Sequence, residues 1–116
     1  VKEPLRYLAL SNTIRSALTT WGKTLSNEVA KSNITVNNIL TGYFNTERLE
    51  QLNSEKAIKM GVKVEEVFDA MKNQVPAKRI GNPKEFGYLA TFLSSDYASY
   101  INGINIAIDG GLIKSL

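Results

Sequence analysis

The feature that most constrains the fold of this chain is the spacing of its two predicted β-strands. The first covers Thr35–Leu40, and the second covers Ile104–Ile108, in which isoleucines alternate with other residues. Predicted helices occupy the long segment between them, and strands joined by a helical crossover lie parallel. Two parallel strands alone leave the faces and edges of a sheet uncovered. The sequence therefore predicts an α/β fold whose sheet needs additional strands.

A long helix, Leu8–Lys31, is predicted to precede the first strand. Its apolar side chains recur at steps of three and four and so form one stripe along the helix. We expect one side of this stripe to cover the sheet, which would leave Leu10, Ala17 and neighbouring apolar surface for a partner. The stripe consists of Ile14, Leu18, Trp21, Leu25 and Val29.

Three shorter helices are predicted between the two strands. Two of them cover Thr46–Met60 and Val64–Gln74. The third begins after Asn82, because Asn82 can cap a helix, Pro83 suits its first position and Glu85 completes a capping box. The order of elements is therefore helix, strand, two small helices, helix and strand.

The segment 46–75 is charged, and it is a candidate for a mobile lid over a substrate. Its glutamates permit two interpretations, a paired-carboxylate acid–base site or solvated helix faces that interact with helix dipoles. The second is favoured, because surface charges are rarely functional. These residues are Glu47, Glu50, Glu55, Glu65 and Glu66.

The composition excludes several classes of site. Without cysteine or histidine, the chain has no thiol nucleophile, no Ser-His-Asp triad and no His-based zinc site, and we predict no metal. The net charge of +3 is too small and too scattered to indicate nucleic acid, and no apolar run could span a membrane. With no visible secretory signal, we expect a cytoplasmic location. Because the first residue is Val1 rather than methionine, we expect a processed piece or a fragment.

The stretch Ile34–Thr46 joins the first strand to a glycine, Gly42. Glycine permits a turn and a close approach of a ligand to the backbone. In open α/β sheets, ligands bind beyond the carboxyl ends of the strands. An ordinary strand followed by a turn would have the same local sequence, so the residues alone leave both interpretations open.

Three segments carry a family resemblance in their order and spacing. Val36–Thr46 is similar to the pattern Val-Asn-x-x-x-Pro-Gly-x-x-x-Thr, with Thr41 in place of the proline. Ala77–Glu85 contains Arg-Ile-Gly-x-Pro-x-Glu, and Phe92–Gly111 resembles a closing helix, turn and strand. Together they resemble the short-chain dehydrogenase/reductase family, and the resemblance extends from about Leu8 to Leu112.

The resemblance implies the C-terminal half of a doubly wound parallel-sheet (Rossmann-like) domain, with about two parallel strands and flanking helices. Residues 1–116 would be the C-terminal part of a single NAD(P)-binding domain. The family's glycine-rich pyrophosphate turn and catalytic serine would then lie before Val1. NAD or NADP is the cofactor expected for the full-length protein, whereas the isolated chain is expected to bind neither, because it lacks that anion site.

The resemblance also implies the site residues. Ser11 and Arg15 stand where the family has its Tyr-x-x-x-Lys, in which Tyr is the general acid/base and Lys lowers its pKa and holds the nicotinamide ribose. An aliphatic hydroxyl is far less acidic than a phenol, whose pKa is about 10, and Arg is a fork rather than a point donor. Tyr7 is a further candidate that could reach the site. The implied cofactor contacts are Thr41, Gly42, Tyr43, Phe44 and Thr46.

Two functions are compatible with this resemblance. The first is an oxidoreductase that transfers a hydride between NAD(P)H and a carbonyl or alcohol, with 3-oxoacyl compounds as one substrate class. The second is a binding or scaffold protein that lost the Tyr and Lys. The resemblance implies a small carbonyl or acyl substrate, and a homodimer or homotetramer through the Leu8–Lys31 helix and the C-terminal helix and strand. Because a bare strand edge and apolar surface are unfavourable in water, we expect no stable monomer.

Overall fold

A computed structural model describes residues 8–115. Helix α1 covers Ala9–Val29 and continues into one 3-10 turn, Ala30–Ser32. Asn33 ends this turn in the left-handed conformation with φ of 59°, which asparagine tolerates better than most residues. The predicted long helix is confirmed with slightly shifted bounds, whereas Tyr7 lies outside the described residues.

The sheet contains two parallel strands within the described residues, as predicted. Strand β1 covers Asn38–Thr41 and strand β2 covers Asn105–Ile108. The first residues of the two strands lie opposite each other, and so do the last. Their carboxyl ends therefore meet at one edge of the sheet, where the following loops begin.

The predicted first strand, Thr35–Leu40, starts too early. Before β1, side chains make part of the pairing: the N–H of Val36 donates to Asn102 Oδ1 at 2.9 Å, while the carbonyl of Val36 accepts from the N–H of Gly103 at 2.9 Å. Asn37 Nδ2 likewise donates to the carbonyl of Ile101 at 2.8 Å. Asparagine side chains compete with regular backbone pairing in this way, and a pattern of apolar residues does not reveal it.

Helices α2, Glu47–Met60, and α3, Val64–Gln74, pack together as a hairpin with a small interior of its own. The Thr46 side chain caps α2 by accepting from the N–H of Leu49 at 3.3 Å, and Gly61 ends it with φ of 66°. Both helices were predicted. The five glutamates of segment 46–75 are all exposed, which agrees with solvated helix faces. The buried residues of the hairpin are Asn53, Ala57 and Val67.

Helix α4 covers Pro83–Leu93 and begins with the predicted capping box. Asn82 Oδ1 accepts from the N–H of Lys84 at 2.9 Å, while Glu85 Oε2 accepts from the N–H of Asn82 at 2.7 Å. These bonds satisfy donors that the first turn of a helix leaves unpaired. The start of α4 is thereby fixed, and a 3-10 turn, Asp96–Ala98, follows its end.

Helix α1 approaches the sheet with small residues rather than with its apolar stripe. Gly22 and Ser26 are buried, and a Cβ at Gly22 would lie 3.1 Å from Asn38 Nδ2. The carbonyl of Ser26 accepts from Asn102 Nδ2 at 3.0 Å. The prediction that the stripe covers the sheet is therefore wrong for its first three members. Ile14, Leu18 and Trp21 are 59%, 55% and 59% exposed.

The chain is elongated and has a thin interior. Its extents are 55 × 29 × 25 Å and its Cα radius of gyration is 16.7 Å. A compact domain of this length would have a radius of gyration of about 13 Å. Most large apolar side chains of the described residues are only partly covered. The buried apolar ones are Ala57, Val67, Val75 and Ala98.

Candidate functional site

Two adjoining cavities lie at the carboxyl end of β1. The tail-side cavity, of about 370 Å³, is lined by the start of α1, by β1 and by the C-terminal tail. The helix-side cavity, of about 560 Å³, is lined by the loop 41–46 and by the starts of α2 and α4. Arg15, Thr41 and Gly42 line both. This is the edge of the sheet at which open α/β folds bind their ligands.

Ser11 and Arg15 are in direct contact at the tail-side cavity. They are four residues apart on α1, so their side chains share one face of the helix. Arg15 Nε donates to Ser11 Oγ at 3.2 Å. The bond occupies an acceptor site of the hydroxyl and leaves its proton available for another acceptor. The arrangement can present a hydroxyl donor and a positive charge to one oxygen atom.

Backbone hydrogen bonds hold the loop 41–46 on both sides. The N–H of Gly42 donates to the carbonyl of Ile108 at 3.0 Å, at the end of β2. Further along, the N–H of Asn45 donates to Gly81 O, and the N–H of Gly81 donates to Tyr43 O, both at 2.9 Å. The loop is therefore fixed between β2 and the segment that leads into α4.

Two donors on this loop remain available to a ligand. The N–H of Phe44 has no hydrogen-bond partner among residues 8–115, while the Phe44 ring packs edge-on against Phe86 with a centroid distance of 6.2 Å. Thr46 Oγ1 accepts a hydrogen bond from the start of α2 and can still donate its proton. Carboxamide and phosphate oxygens are acceptors. These groups can therefore donate hydrogen bonds to such oxygens of a ligand.

Gly42 is required by the chain itself. A Cβ added there would lie 2.6 Å from the Cα of Asp109, at the end of the neighbouring strand. The Asp109 carboxylate also accepts from the N–H groups of Gly111 and Ile113, at 2.9 and 2.7 Å. These bonds hold the tail against the tail-side cavity. The glycine signal that indicated ligand approach is thus explained by strand packing as well.

An ion pair fixes the segment between α3 and α4. Arg79 Nη1 and Nη2 donate to the two carboxylate oxygens of Glu85 at 2.8 and 2.6 Å. The bond from Arg79, together with the N–H of Asn82, lowers the pKa of Glu85 to about 2. Its hydrogen bond and charge attraction with Glu85 raise the pKa of Arg79. Both side chains are exposed, so solvent screens the attraction, and we assign the pair a structural role.

Several residues that line the cavities were not predicted from the sequence. Arg48 lies on the first turn of α2, two positions after Thr46, and faces the helix-side cavity. No local sequence pattern singled out Arg48 as a cavity residue. The same holds for apolar residues on α2, on α4 and in the tail. They are Leu49, Leu52, Phe86, Leu112 and Ile113.

No group of three or more carboxylate, imidazole or thiol side chains is arranged to hold a metal ion between residues 8 and 115. Over the same residues, no helix has the length and apolar character needed to cross a bilayer. The polar groups that line the two cavities are hydroxyls, guanidinium groups, an amide and backbone atoms.

Known proteins resemble this chain over most of its length. Residues 6–113 match a family model described as Enoyl-(Acyl carrier protein) reductase. The NADPH-dependent reductase BacG of Bacillus subtilis (strain 168) is 34% identical over 115 residues, which cover 99% of this chain and 44% of the relative. The 3-oxoacyl-[acyl-carrier-protein] reductase MabA of Mycobacterium tuberculosis (strain ATCC 25618 / H37Rv) is 32% identical over 90 residues, covering 78% and 32%. The chain thus spans less than half of either relative.

The fold is also shared with a solved structure. L-sorbose reductase from Gluconobacter frateurii, complexed with NADPH and L-sorbose, matches with a TM-score of 0.91 at 32% identity. The match covers 97% of this chain and 43% of that protein. The two parallel strands and their helices are therefore arranged as in part of a larger reductase.

Proposed function

The chain belongs to the short-chain dehydrogenase/reductase family, and we propose that it forms part of an oxidoreductase that transfers a hydride between NAD(P)H and the carbonyl carbon of a small molecule. The observation that carries this proposal is the Ser11–Arg15 contact on a cavity at the carboxyl end of β1. The names of two relatives, an NADPH-dependent reductase and a 3-oxoacyl-[acyl-carrier-protein] reductase, support it. Because the chain spans less than half of either, we propose the activity for the complete gene product.

The loop after β1 would hold the nicotinamide end of the cofactor. When bound, the dinucleotide supplies or accepts the hydride. The free N–H of Phe44 and the hydroxyl of Thr46 would donate to its carboxamide and phosphate oxygens. The backbone bonds on either side of the loop would keep these donors in place. The residues proposed for this contact are Thr41, Gly42, Tyr43, Phe44 and Thr46.

Ser11 and Arg15 would act on the substrate oxygen. The Ser11 hydroxyl donates to the carbonyl, and the adjacent guanidinium stabilises the negative charge that develops on this oxygen as the hydride arrives. The Ser11 hydroxyl is far less acidic than a phenol, so it does not give up its proton to the product. Water therefore delivers the proton to the alkoxide. We expect a rate of hydride transfer that changes little between pH 6 and 9, because water rather than a side chain supplies the proton.

The test measures oxidation of NADH and NADPH by the complete gene product with 3-oxoacyl thioesters and ketoses as substrates. Replacing Ser11→Ala or Arg15→Gln should lower kcat about 100-fold, the typical effect of removing one donor to an oxyanion. Ser16→Ala is the matched control, since Ser16 lies exposed on the same helix and away from both cavities. No turnover with any cofactor and carbonyl pair would contradict the proposal.

The scaffold alternative is not favoured, because the two relatives BacG and MabA are both named as reductases. A direct comparison separates the two functions. Calorimetry would measure dinucleotide binding to the complete gene product and to the double variant Ser11→Tyr with Arg15→Lys. Tight binding without turnover in the natural protein, together with turnover gained in the double variant, would support the scaffold.

We propose that the α2–α3 hairpin, within residues 46–75, is a lid over the helix-side cavity. The start of α2 lines this cavity, while the hairpin packs mainly on itself. Where α3 ends, Tyr43 Oη donates to Gln74 Oε1 at a long 3.5 Å. A pair of helices that packs mainly on itself can move as one body. Hydrogen exchange should slow across the first turn of α2 when substrate binds, and unchanged exchange would argue against a lid.

Assembly and location also belong to the proposal. We propose a homodimer or homotetramer formed through α1 and through α4 with β2. The exposed Ile14, Leu18 and Trp21 on α1 support the first contact, and the exposed Tyr88 and Phe92 on α4 support the second. The substrate partner would be a small carbonyl or acyl compound. The cytoplasmic location stays a prediction.

A further inference from the structure

The helix-side cavity carries two positive charges and no negative one. Arg15 from α1 and Arg48 from α2 both line it, and none of its lining side chains is a carboxylate. Like charges on one cavity repel each other unless an anion lies near them. The cavity is therefore electrostatically complementary to an anionic group.

Neither guanidinium is neutralised within the described part of the chain. Arg15 donates to the uncharged Ser11, and Arg48 makes no ion pair or hydrogen bond with any of residues 8–115. Arg48 also lies on the first turn of α2, where the helix dipole disfavours a positive charge. Its position is thus unfavourable for the helix, which points to a role outside helix stability.

The remainder of the cavity is apolar. Leu49 and Leu52 of α2 form one wall, and Phe86 of α4 forms another. Phe86 is held in place by its edge-on contact with Phe44. A ligand that fits this lining has an anionic end for the guanidinium groups and an aliphatic or aromatic body for the leucines and the ring.

We propose that Arg15 and Arg48 bind a carboxylate or phosphate group of a ligand whose apolar part lies along Leu49, Leu52 and Phe86. The inference rests on the proposed function and deepens it by naming the substrate class, an acidic carbonyl compound with an apolar chain. A diphosphate of the cofactor has the same anion chemistry. The experiment below separates these two sources.

The experiment measures binding by calorimetry to the complete gene product without dinucleotide, so that the result does not depend on turnover. The probes are octanoate, octanol and inorganic pyrophosphate. Arg48→Gln should weaken octanoate binding about 10-fold, since a charge-assisted hydrogen bond contributes about 1.5 kcal/mol or more. Arg48→Lys, which keeps the charge, should retain most of the affinity. Lys56→Gln is the matched control, because it removes one charge from α2 away from the cavity.

The outcomes are separable. If octanoate binds, if Arg48→Gln weakens this binding and if pyrophosphate does not displace octanoate, the substrate's anion lies at the guanidinium groups. If pyrophosphate binds, displaces octanoate and binds more weakly to the Arg48→Gln variant, the same site is assigned to the diphosphate. Equal binding of octanoate and octanol, or equal effects of Arg48→Gln and Lys56→Gln in variants with unchanged circular dichroism, overturns the inference. Absence of hydride transfer would refute the proposed activity and leave this result standing.

Discussion

The loop after β1 and the outward face of α1 differ in how many of their contacts other residues of the same chain supply. Residues from β2 and from the start of α4 hydrogen-bond the loop on both sides, and the Phe44 ring contacts Phe86. On α1, Ile14, Leu18 and Trp21 remain more than half exposed. The contacts of the chain itself thus fix one side of the candidate site, whereas the outward face of its longest helix stays exposed.

The largest expected effect concerns the helix face. At micromolar concentration we expect the chain to sediment as a dimer or larger species. Ile14→Ser with Trp21→Ser should weaken this association by about two orders of magnitude or more, since burying a large apolar side chain contributes ~1.5–3 kcal/mol. Ile58→Ser is the control, because Ile58 is 81% exposed on α2. If the natural chain sediments as a monomer, the outward face of α1 needs no partner, and the contrast with the loop after β1 disappears.

The second effect concerns the loop. Gly42→Ala places a Cβ against the backbone of Asp109, and we expect the free energy of unfolding to fall by about 1–3 kcal/mol. Gly87→Ala in α4 meets no atom within 4 Å, so the better helix propensity of alanine should raise it by up to about 1 kcal/mol. Urea unfolding measures both. Equal changes in the free energy of unfolding for Gly42→Ala and Gly87→Ala would show that the loop is less tightly fixed than its hydrogen bonds imply.

A third, smaller effect tests the capping of α2. Thr46→Ala removes the side chain that accepts from the N–H of Leu49, and we expect a loss of about 1 kcal/mol in unfolding free energy. Thr46→Ser retains the hydroxyl and should lose much less. Faster hydrogen exchange at the Leu49 amide in the alanine variant would locate the change. Unaltered exchange there would mean that the cap contributes little to holding Arg48 in place.

The smallest effect depends on pH. The pKa of Glu85 is lowered to about 2 by Arg79 and by the N–H of Asn82, below the ordinary value of 4.5. A depressed pKa in the folded state contributes stability above the unfolded value, and this stability is lost as pH falls from about 4.5 towards 2. Glu85→Gln should therefore flatten the fall in urea midpoint over this range, modestly because the pair is exposed. The control Glu55→Gln should retain the natural slope.

Local signals made the helix bounds predictable. Thr46 and Gly61 delimit α2, and Asn82 with Glu85 starts α4, because each acts through bonds to residues a few positions away. The predicted start of β1 was too early, because the side chain of Asn102, which is distant in sequence, accepts a hydrogen bond from the N–H of Val36. Sequence proximity reveals the first kind of contact and not the second.

The predicted helical periodicity of α1 was correct, but the prediction of which helix face packs on the sheet was wrong. A period shows which residues share a side and leaves open which side the chain covers. For the site, the four-residue spacing of Ser11 and Arg15 places both on one helix face, and the structure shows that they are in contact. Arg48 became visible only when α2 and α4 enclosed a cavity. The catalytic and cofactor roles of these residues stay predictions.

The pairing of β1 with β2 also bears on the order in which the chain folds. Asn38 Nδ2 donates to Asn105 Oδ1 across 67 residues of sequence, whereas the α2–α3 hairpin closes through a short turn. When strands distant in sequence pair, the chain loses loop-closure entropy before any contact forms, so such pairings form slowly. The helices should therefore appear first and the two strands join late. Partly folded chains would retain most of the helical signal in circular dichroism while lacking both cavities, because those cavities exist only where the strands end side by side.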